Sequence, residues 1–222
     1  LHPAAALRSA NYSHQLQTDL QLATAMITGQ LNPRQTTPVP WELTDTAEKL
    51  DCLLARLENS LEAWTFDCET TGLDSRRDKI TGISFGFSDA AYFLTIGTCN
   101  LDFIRFSNIF NNPAIRKIAF NAKFDCQFVR KHFGQEVRGI VSDPMLAHHL
   151  LDENDSHGLK RLTTRYLGVP SYDGPVSKAV AKYGWANVPL EILASYGAAD
   201  AYYTKQLDSV LQTDLETQGL IR

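Results

Sequence analysis

The segment WTFDCETTG, residues 64–72, places two carboxylates at the end of an apolar run. The run predicts a buried β-strand, in which residues two positions apart project to the same face. Asp67 and Glu69 are then neighbours, and two buried like charges repel each other unless a cation compensates them. The pair therefore indicates a site that binds something positive.

Two further acids stand where other apolar elements end or become buried. In NAKFD, Asn121 closes a predicted strand and Asp125 lies about one helical turn later. In YGAAD, Tyr196 and Asp200 are four residues apart and share a helix face. Each acid taken alone is typical of an ordinary surface position. In combination with the first pair, they predict four carboxylates from separate elements that meet in one place.

Four clustered carboxylates remain ionised only beside cations, and oxygen ligands suit the hard divalent ions Mg²⁺ and Mn²⁺. Two such ions about 4 Å apart stabilise the charge that develops during displacement at phosphorus, and one of them lowers the pKa of an attacking water. The residues therefore predict hydrolysis of a phosphate ester with two divalent metal ions, Mg²⁺ or Mn²⁺.

Hydrophobic patterning predicts the elements that position these residues. The predicted strands cover about 63–69, 80–88 and 91–97, then RKIAF before Asn121, and EVRGIVS. The predicted helices cover about 100–110, 122–133, 158–167 and 189–216, and one more begins with Asp143 as N-cap and Pro144 in its first turn. Residues 168–188 are punctuated by glycine and proline. The fold class is a mixed α/β sheet flanked by helices, with an antiparallel edge and the Asp67 strand at its centre.

The first 61 residues are predicted to form an N-terminal extension, and residues 62–222 the main domain. The extension contains one plausible helix over roughly 13–28 and the proline-containing linker LNPRQTTPVP. A second helix runs to Ser60, with Asp45 and Glu48 expected to form a capping box at its start. The start at Leu1 rather than Met indicates a processed product or an excised fragment.

Composition limits the class of protein. The chain has 222 residues, a net charge of −4 and 44% hydrophobic residues, enough for one domain with a full core. No apolar run reaches ~18 residues and residues 1–30 lack a basic n-region with an apolar core, so we expect no membrane span and no secretory signal peptide. The four cysteines are expected to be reduced thiols in an intracellular compartment, cytoplasmic or organellar. The basic residues cluster in two stretches, 116–138 and 160–165, whose simplest interpretation is two solvated helix faces.

The segments FDCETTGLD, NAKFD and YGAADAYYTKQL, in this order, resemble the three motifs of the DEDD exonuclease superfamily. The third segment matches the tyrosine branch of that superfamily, Tyr-x-x-x-Asp. The histidine branch needs Asp five residues after His, whereas the residues five positions after His148, His149 and His157 are Glu153, Asn154 and Leu162. Together with VRGIVSDPMLAHHLLD and LKRLTTRYLG, the chain from about 62 to 216 is similar to the proofreading domain of family A, DNA polymerase I-like, enzymes. The resemblance implies a ribonuclease H-like fold and 3′–5′ exonuclease activity for residues 62–222.

The resemblance also implies a role for each matched residue. The metal-binding carboxylates are Asp67, Glu69, Asp125 and Asp200, and Tyr196 positions the attacking water through its neutral hydroxyl. Thr70 and Asn121 help to hold the terminal nucleotide. Leu73 stands in the place of a leucine that wedges against the last bases, and Tyr172 in that of an aromatic that stacks on a base. Ordinary loop packing is the alternative interpretation of Leu73 and Tyr172.

The expected partner is the 3′ end of single-stranded DNA, and the chain has no room for palm, fingers and thumb. We therefore expect a monomer that is either a fragment of a larger polymerase or a stand-alone exonuclease. Two alternatives stay open: an RNase D-like 3′–5′ RNA exonuclease, and a metal-free degenerate scaffold. Loss of at least one carboxylate would be typical of the scaffold, and here all four and the tyrosine are present.

Overall fold

The structure, a computed structural model, describes residues 38–97 and 103–221 and the positions 4, 16, 20, 23, 24 and 27–29. The predicted helix over 13–28 and the linker after it fall mainly outside these residues. Of the described helices, none combines the length and the hydropathy needed to cross a bilayer. Cys52, Cys68 and Cys126 are free thiols, and Cys99 lies outside the described residues.

In the part of the chain that the structure describes, six strands form one mixed sheet in the order β1-β4-β3-β2-β5-β6. The strands are β1 (Trp41–Thr44), β2 (Trp64–Thr70), β3 (Ile80–Gly86), β4 (Ala91–Thr95), β5 (Lys117–Ile118) and β6 (Ile140–Ser142). Strand β3 is antiparallel to both of its neighbours, whereas β1–β4, β2–β5 and β5–β6 are parallel pairs. The carboxylate strand β2 is therefore internal, as predicted.

The predicted antiparallel edge of the sheet is wrong. Strand β1 pairs with β4 in parallel, so β4 is not an edge strand and both outer pairs are parallel. Sequence patterning missed β1 because it has four residues and follows the prolines of the linker. Residues 41–59 thus contribute a strand and a helix to this sheet fold, and the division of the chain at residues 61 and 62 remains a prediction.

The described α-helices are α1 (Ala47–Asn59), α2 (Phe103–Asn111), α3 (Ala122–Phe133), α4 (Pro144–Leu151), α5 (Leu159–Leu167), α6 (Gly174–Tyr183) and α7 (Leu190–Thr217). Asp143 caps α4, since its carboxylate accepts the Met145 N–H at 3.0 Å. The predicted capping residue Asp45 of α1 is wrong: Thr46 is the N-cap and accepts the Lys49 N–H, while Asp45 pairs with Lys49. Helix α6 lies within the stretch expected to be glycine- and proline-punctuated.

Successive side chains of β2 face opposite sides of the sheet, so that one side packs into the apolar core and the other carries the carboxylates. Trp64, Phe66 and Cys68 belong to the large apolar core, which also holds buried residues of α1, α2 and α3. The residues between them face the other side, where Thr65 donates a hydrogen bond to the carbonyl of Ala201 on α7 at 2.7 Å. Asp67 and Glu69 continue this second face, so the strand directs both carboxylates towards α7.

Helix α7 approaches the sheet closely because glycines lie at the crossing. A Cβ on Gly86 of β3 would lie 2.4 Å from the carbonyl oxygen of Ala201. A Cβ on Gly197 of α7 would lie 2.5 Å from the Ser84 hydroxyl and 2.9 Å from Oε1 of Glu69. Small residues at both positions therefore allow Tyr196 and Asp200 to reach the β2 carboxylates.

We predict that Gly86→Ala lowers the free energy of unfolding by about 1–3 kcal/mol, because the backbone of α7 must shift to admit the methyl group. Urea denaturation measures the change. Gly174→Ala is the matched control, since no described atom lies within 4 Å of a Cβ there. Equal losses in the two variants would contradict the close approach of α7.

Candidate active site

Three carboxylates meet between β2 and α7. Oxygen atoms of Asp67, Glu69 and Asp200 all lie within 4.8 Å of one another. Glu69 and Asp200 are each 5% exposed, and Oε1 of Glu69 is a buried atom without a hydrogen-bond partner among the described residues. An oxygen-only donor set with an unpartnered carboxylate oxygen is suited to a hard divalent cation. These residues therefore fit the predicted metal site.

The fourth predicted carboxylate, Asp125, contacts the backbone of β2 from helix α3. It is 1% exposed on α3, and its Oδ1 accepts the backbone N–H of Cys68 at 2.8 Å. Cys68 lies between Asp67 and Glu69, so Asp125 adjoins the pair through the strand backbone. The structure does not place Asp125 within the group of three.

Burial and mutual repulsion raise the pKa values of these carboxyl groups. Burial and the charge of Asp200 raise the pKa of Asp67 to about 7, although the ammonium of Lys160 opposes the shift. Burial and the charges of Asp67 and Asp200 hold the pKa of Glu69 well above its ordinary value. Burial and the charge of Asp67 likewise raise the pKa of Asp125. The site is therefore short of positive charge, as the strand pattern predicts.

Two tyrosines and a lysine surround Asp200. The Tyr172 hydroxyl donates to Oδ1 of Asp200 at 2.6 Å, and the ammonium of Lys160 pairs with the same carboxylate. Lys160 Nζ also lies 4.7 Å from the ring centroid of Tyr172 and 4.3 Å from that of Tyr196. Burial and the charges of Asp200, Glu69 and Asp67 raise the pKa of Tyr196, so its hydroxyl stays protonated.

A cavity of about 170 Å³ opens beside the carboxylates. Apolar and aromatic side chains form part of its wall, namely Leu73, Phe124 and Trp185. Thr70 also lines it, but the Thr70 hydroxyl donates to the Gly72 carbonyl at 2.7 Å. Leu73 is 85% exposed at the rim. The cavity combines an acidic floor with a wall suited to the flat face of a ring.

Asn121 and Tyr172, the two other residues predicted to contact the nucleotide, do not line this cavity. Asn121 is exposed at the start of α3 with a left-handed φ of 57°, and it is not among the residues that line the cavity. The ring of Tyr172 packs against Tyr203, with centroids 5.2 Å apart, and its hydroxyl is bound to Asp200. The nucleotide contacts of both residues remain predictions.

Comparison with known proteins identifies the family. A family model described as 3′–5′ exonuclease matches residues 41–216. The chain belongs to the 3′–5′ exonuclease family. DNA polymerase I of Chloroflexus aurantiacus is 31% identical over 208 residues, which cover 87% of this chain and 22% of the polymerase. The chain thus spans about a fifth of the length of this relative. The 3′–5′ exonuclease activity predicted for the chain from its sequence is confirmed.

Solved structures share the fold. Brucella melitensis NrnC with bound Mg²⁺ has a TM-score of 0.62 at 23% identity, over 82% of this chain and 84% of that one. Escherichia coli RNase D, an exoribonuclease, has a TM-score of 0.67 at 15% identity, over 82% and 47%. The predicted ribonuclease H-like α/β fold class of the exonuclease is confirmed.

Sequence reasoning missed Lys160 as a member of the exonuclease site. The interpretation of both basic stretches as solvated helix faces is wrong for several residues. Lys160 contacts Asp200, Arg161 and Arg165 pair with the buried Asp155, and Lys117 is 0% exposed. No spacing rule links Lys160 to Asp200, forty positions away. The only sequence feature that indicated a basic residue at the site was the predicted acid cluster, because buried carboxylates need a nearby cation.

Three of the described histidines, His148, His149 and His157, form a cluster that shares no residue with the group of three carboxylates. His148 Nδ1 and His157 Nδ1 are 2.7 Å apart, and His149 Nδ1 is 3.0 Å from His157 Nε2. These rings contact one another between α4 and α5. Tyr196 instead lines the carboxylate cavity, in keeping with the tyrosine-type motif.

We predict that Asp67→Asn stabilises the metal-free exonuclease at pH 8. The Asp67 pKa of about 7 in the folded state exceeds its ordinary value of 3.8, so its contribution to stability is lost as the pH rises through 7. The gain of the variant should be on the order of 4 kcal/mol at pH 8 and fall below about 1 kcal/mol near pH 4. Urea denaturation in EDTA measures it, with the exposed Asp51→Asn as control. A difference that does not change with pH would contradict this account.

Proposed function

We propose that the chain removes nucleotides from the 3′ end of single-stranded or mismatched DNA and releases 5′-mononucleotides. The observation that carries the proposal is the convergence of Asp67, Glu69 and Asp200 beside a small open cavity. We further propose that two divalent ions, Mg²⁺ or Mn²⁺, bind these three carboxylates together with Asp125. When bound, such ions supply charge stabilisation at phosphorus and lower the pKa of a water.

The side chains around Asp200 fix the orientation of its carboxylate. Tyr172 and Lys160 both contact the Asp200 carboxylate, which restricts its orientation before substrate arrives. Tyr196 keeps its proton because its pKa is raised, so its hydroxyl can both donate to and accept from a water at the acid cluster. We assign to Tyr196 the positioning of the attacking water, and to Lys160 the balancing of charge at Asp200.

The cavity suits a frayed end rather than a duplex. Its apolar wall of Leu73, Phe124 and Trp185 can contact the terminal bases through their faces, which is tolerant of base identity. A paired 3′ end must first unpair and unstack, at a cost of a few kcal/mol, and a mismatched end has lost part of that pairing. The exonuclease should therefore favour mismatched over paired ends without reading the base.

The polymerase relatives support DNA as the substrate and a polymerase domain in the intact protein. This chain covers 22% of the Chloroflexus polymerase, so synthesis would belong to residues outside it. We propose that it acts as a monomeric proofreading domain on the 3′ end of a strand. The RNA exonuclease alternative would have the same fold and chemistry, and it differs in the sugar that the site accepts.

The proposal is tested with labelled single strands of DNA and RNA of the same sequence, with Mg²⁺, Mn²⁺ or EDTA. We expect metal-dependent loss of mononucleotides from the 3′ end of DNA, faster at mismatched than at paired ends. Circular single strands, which have no end, should survive. Equal rates on paired and mismatched ends would contradict proofreading, and faster degradation of RNA would favour the RNase D-like alternative. Absence of any metal-dependent cleavage would favour the degenerate scaffold.

We predict that Asp200→Asn lowers kcat/KM by roughly 10³-fold or more, because it removes a carboxylate charge from the metal site. Tyr196→Phe retains the ring and loses the hydroxyl, so its loss should be smaller, roughly 10- to 100-fold. Steady-state hydrolysis of a single strand measures both. Glu191→Gln, an exposed acid on the same helix, is the matched control. Wild-type activity in Asp200→Asn would refute the assignment.

A further inference from the structure

A second cavity, of about 260 Å³, lies between the loop that joins β2 to β3 and helix α3. We call it the basic groove; its lining consists of Ser75, Arg76, Arg77, Asp78, Lys79, Ile80, Phe128, Lys131 and His132. Four of these residues carry a full positive charge, and all four are exposed: Arg76, Arg77, Lys79 and Lys131. The sign of this surface is thus opposite to the net charge of −4 of the whole chain.

The acidic residues of this loop, Asp74 and Asp78, make their hydrogen bonds and ion pairs within the loop. The carboxylate of Asp78 accepts the Asp74 N–H at 2.9 Å and the Thr71 hydroxyl at 3.3 Å. Asp74 in turn pairs with Arg76 and Arg77, at 3.0 Å from the Nε of each. The two arginine side chains nevertheless remain 86% and 81% exposed. The loop therefore satisfies its carboxylates internally and leaves guanidinium N–H donors accessible to an anion.

The basic groove continues the walls of the carboxylate cavity. Gly72 and Leu73 of the loop line the cavity, and the groove begins two residues later at Ser75. On the opposite wall, Phe124 lines the cavity and Phe128 the groove, one turn apart on α3 with ring centroids separated by 4.8 Å. The exposed Leu73 side chain thus lines the acidic cavity, and the lining of the basic groove begins two residues further along the same loop.

We propose that the basic groove binds backbone phosphates of the same single strand, upstream of the nucleotide that is removed. This inference rests on the proposed function. A strand whose 3′ end reaches the carboxylates has its remaining phosphates outside the carboxylate cavity, and the groove supplies two arginines and two lysines for them. Lysine and arginine contacts to phosphate carry no base sequence, which suits an enzyme that must accept any 3′ end.

The consequence is a dependence on substrate length. A dinucleotide occupies the carboxylate cavity alone, whereas a strand of about twelve nucleotides also reaches the groove. Each phosphate contact to a single strand contributes about 0.7 to the slope of log affinity against log salt. Loss of two contacts should therefore lower that slope by about 1.4 for the long strand and leave the dinucleotide unaffected.

The test compares Arg76→Gln/Arg77→Gln with Arg116→Gln/Arg138→Gln, an equal loss of charge at exposed positions near the start of β5 and β6. Binding of a fluorescent oligothymidylate of about twelve residues is followed by anisotropy from 50 to 200 mM salt, and turnover of a thymidine dinucleotide is measured separately. We expect about 10-fold weaker binding and a lower salt slope in the loop variant, and less than a twofold change in dinucleotide turnover. Lys131→Gln, on α3, should weaken binding in the same direction without altering the loop.

Two results would overturn the inference: binding by both groove variants equal to that of the control pair, or an equal loss with the dinucleotide and the long strand. Failure of the proposed function has a different signature. In that case the wild-type chain would not cleave the dinucleotide at all, while anisotropy would still report whether the groove binds the long strand.

Discussion

Asp67, Glu69 and Asp200 repel one another because their carboxylates are close together, and the strands and helices around them reflect this repulsion. Asp67 and Glu69 cannot be separated, because a β-strand sends residues two positions apart to the same face. Asp200 joins them from α7, and all three have oxygens within 4.8 Å of one another. A fold that brings these charges together must supply cations, and Lys160 is the basic side chain that the structure places in contact with Asp200. One ammonium does not neutralise three carboxylates, so the site retains capacity for metal ions.

The fold accommodates this arrangement by separating two faces of one strand. Trp64, Phe66 and Cys68 stabilise the molecule through the apolar core, and the residues between them make contacts with α7. Glycines at positions 86 and 197 let the helix come within the reach of short aspartate and glutamate side chains. Stability and chemistry therefore share the backbone of β2 but use opposite sides of it.

Local sequence patterns were sufficient to predict the strand and the helices that carry most of the site residues. The periodicity of β2, the Asp143-Pro144 helix start and the limits of α3 follow from residues close in sequence, and the structure has them where they were predicted. The antiparallel edge and the Asp45 cap were wrong, because a four-residue strand after prolines has little periodic signal and Thr46 competes for the same capping position. The role of Lys160 could not be predicted, since it depends on the packing of α5 against α7, which brings together residues forty positions apart.

Binding of divalent metal by the three carboxylates can be measured by Mn²⁺ titration followed by electron paramagnetic resonance. Glu69→Gln removes the charge of the carboxylate whose Oε1 is unpartnered, and Glu191→Gln removes an equal charge elsewhere. We predict that the wild type and Glu191→Gln bind Mn²⁺ with the same stoichiometry, and that Glu69→Gln loses at least one ion or binds it at least 10-fold more weakly. Equal binding by all three proteins would contradict the claim.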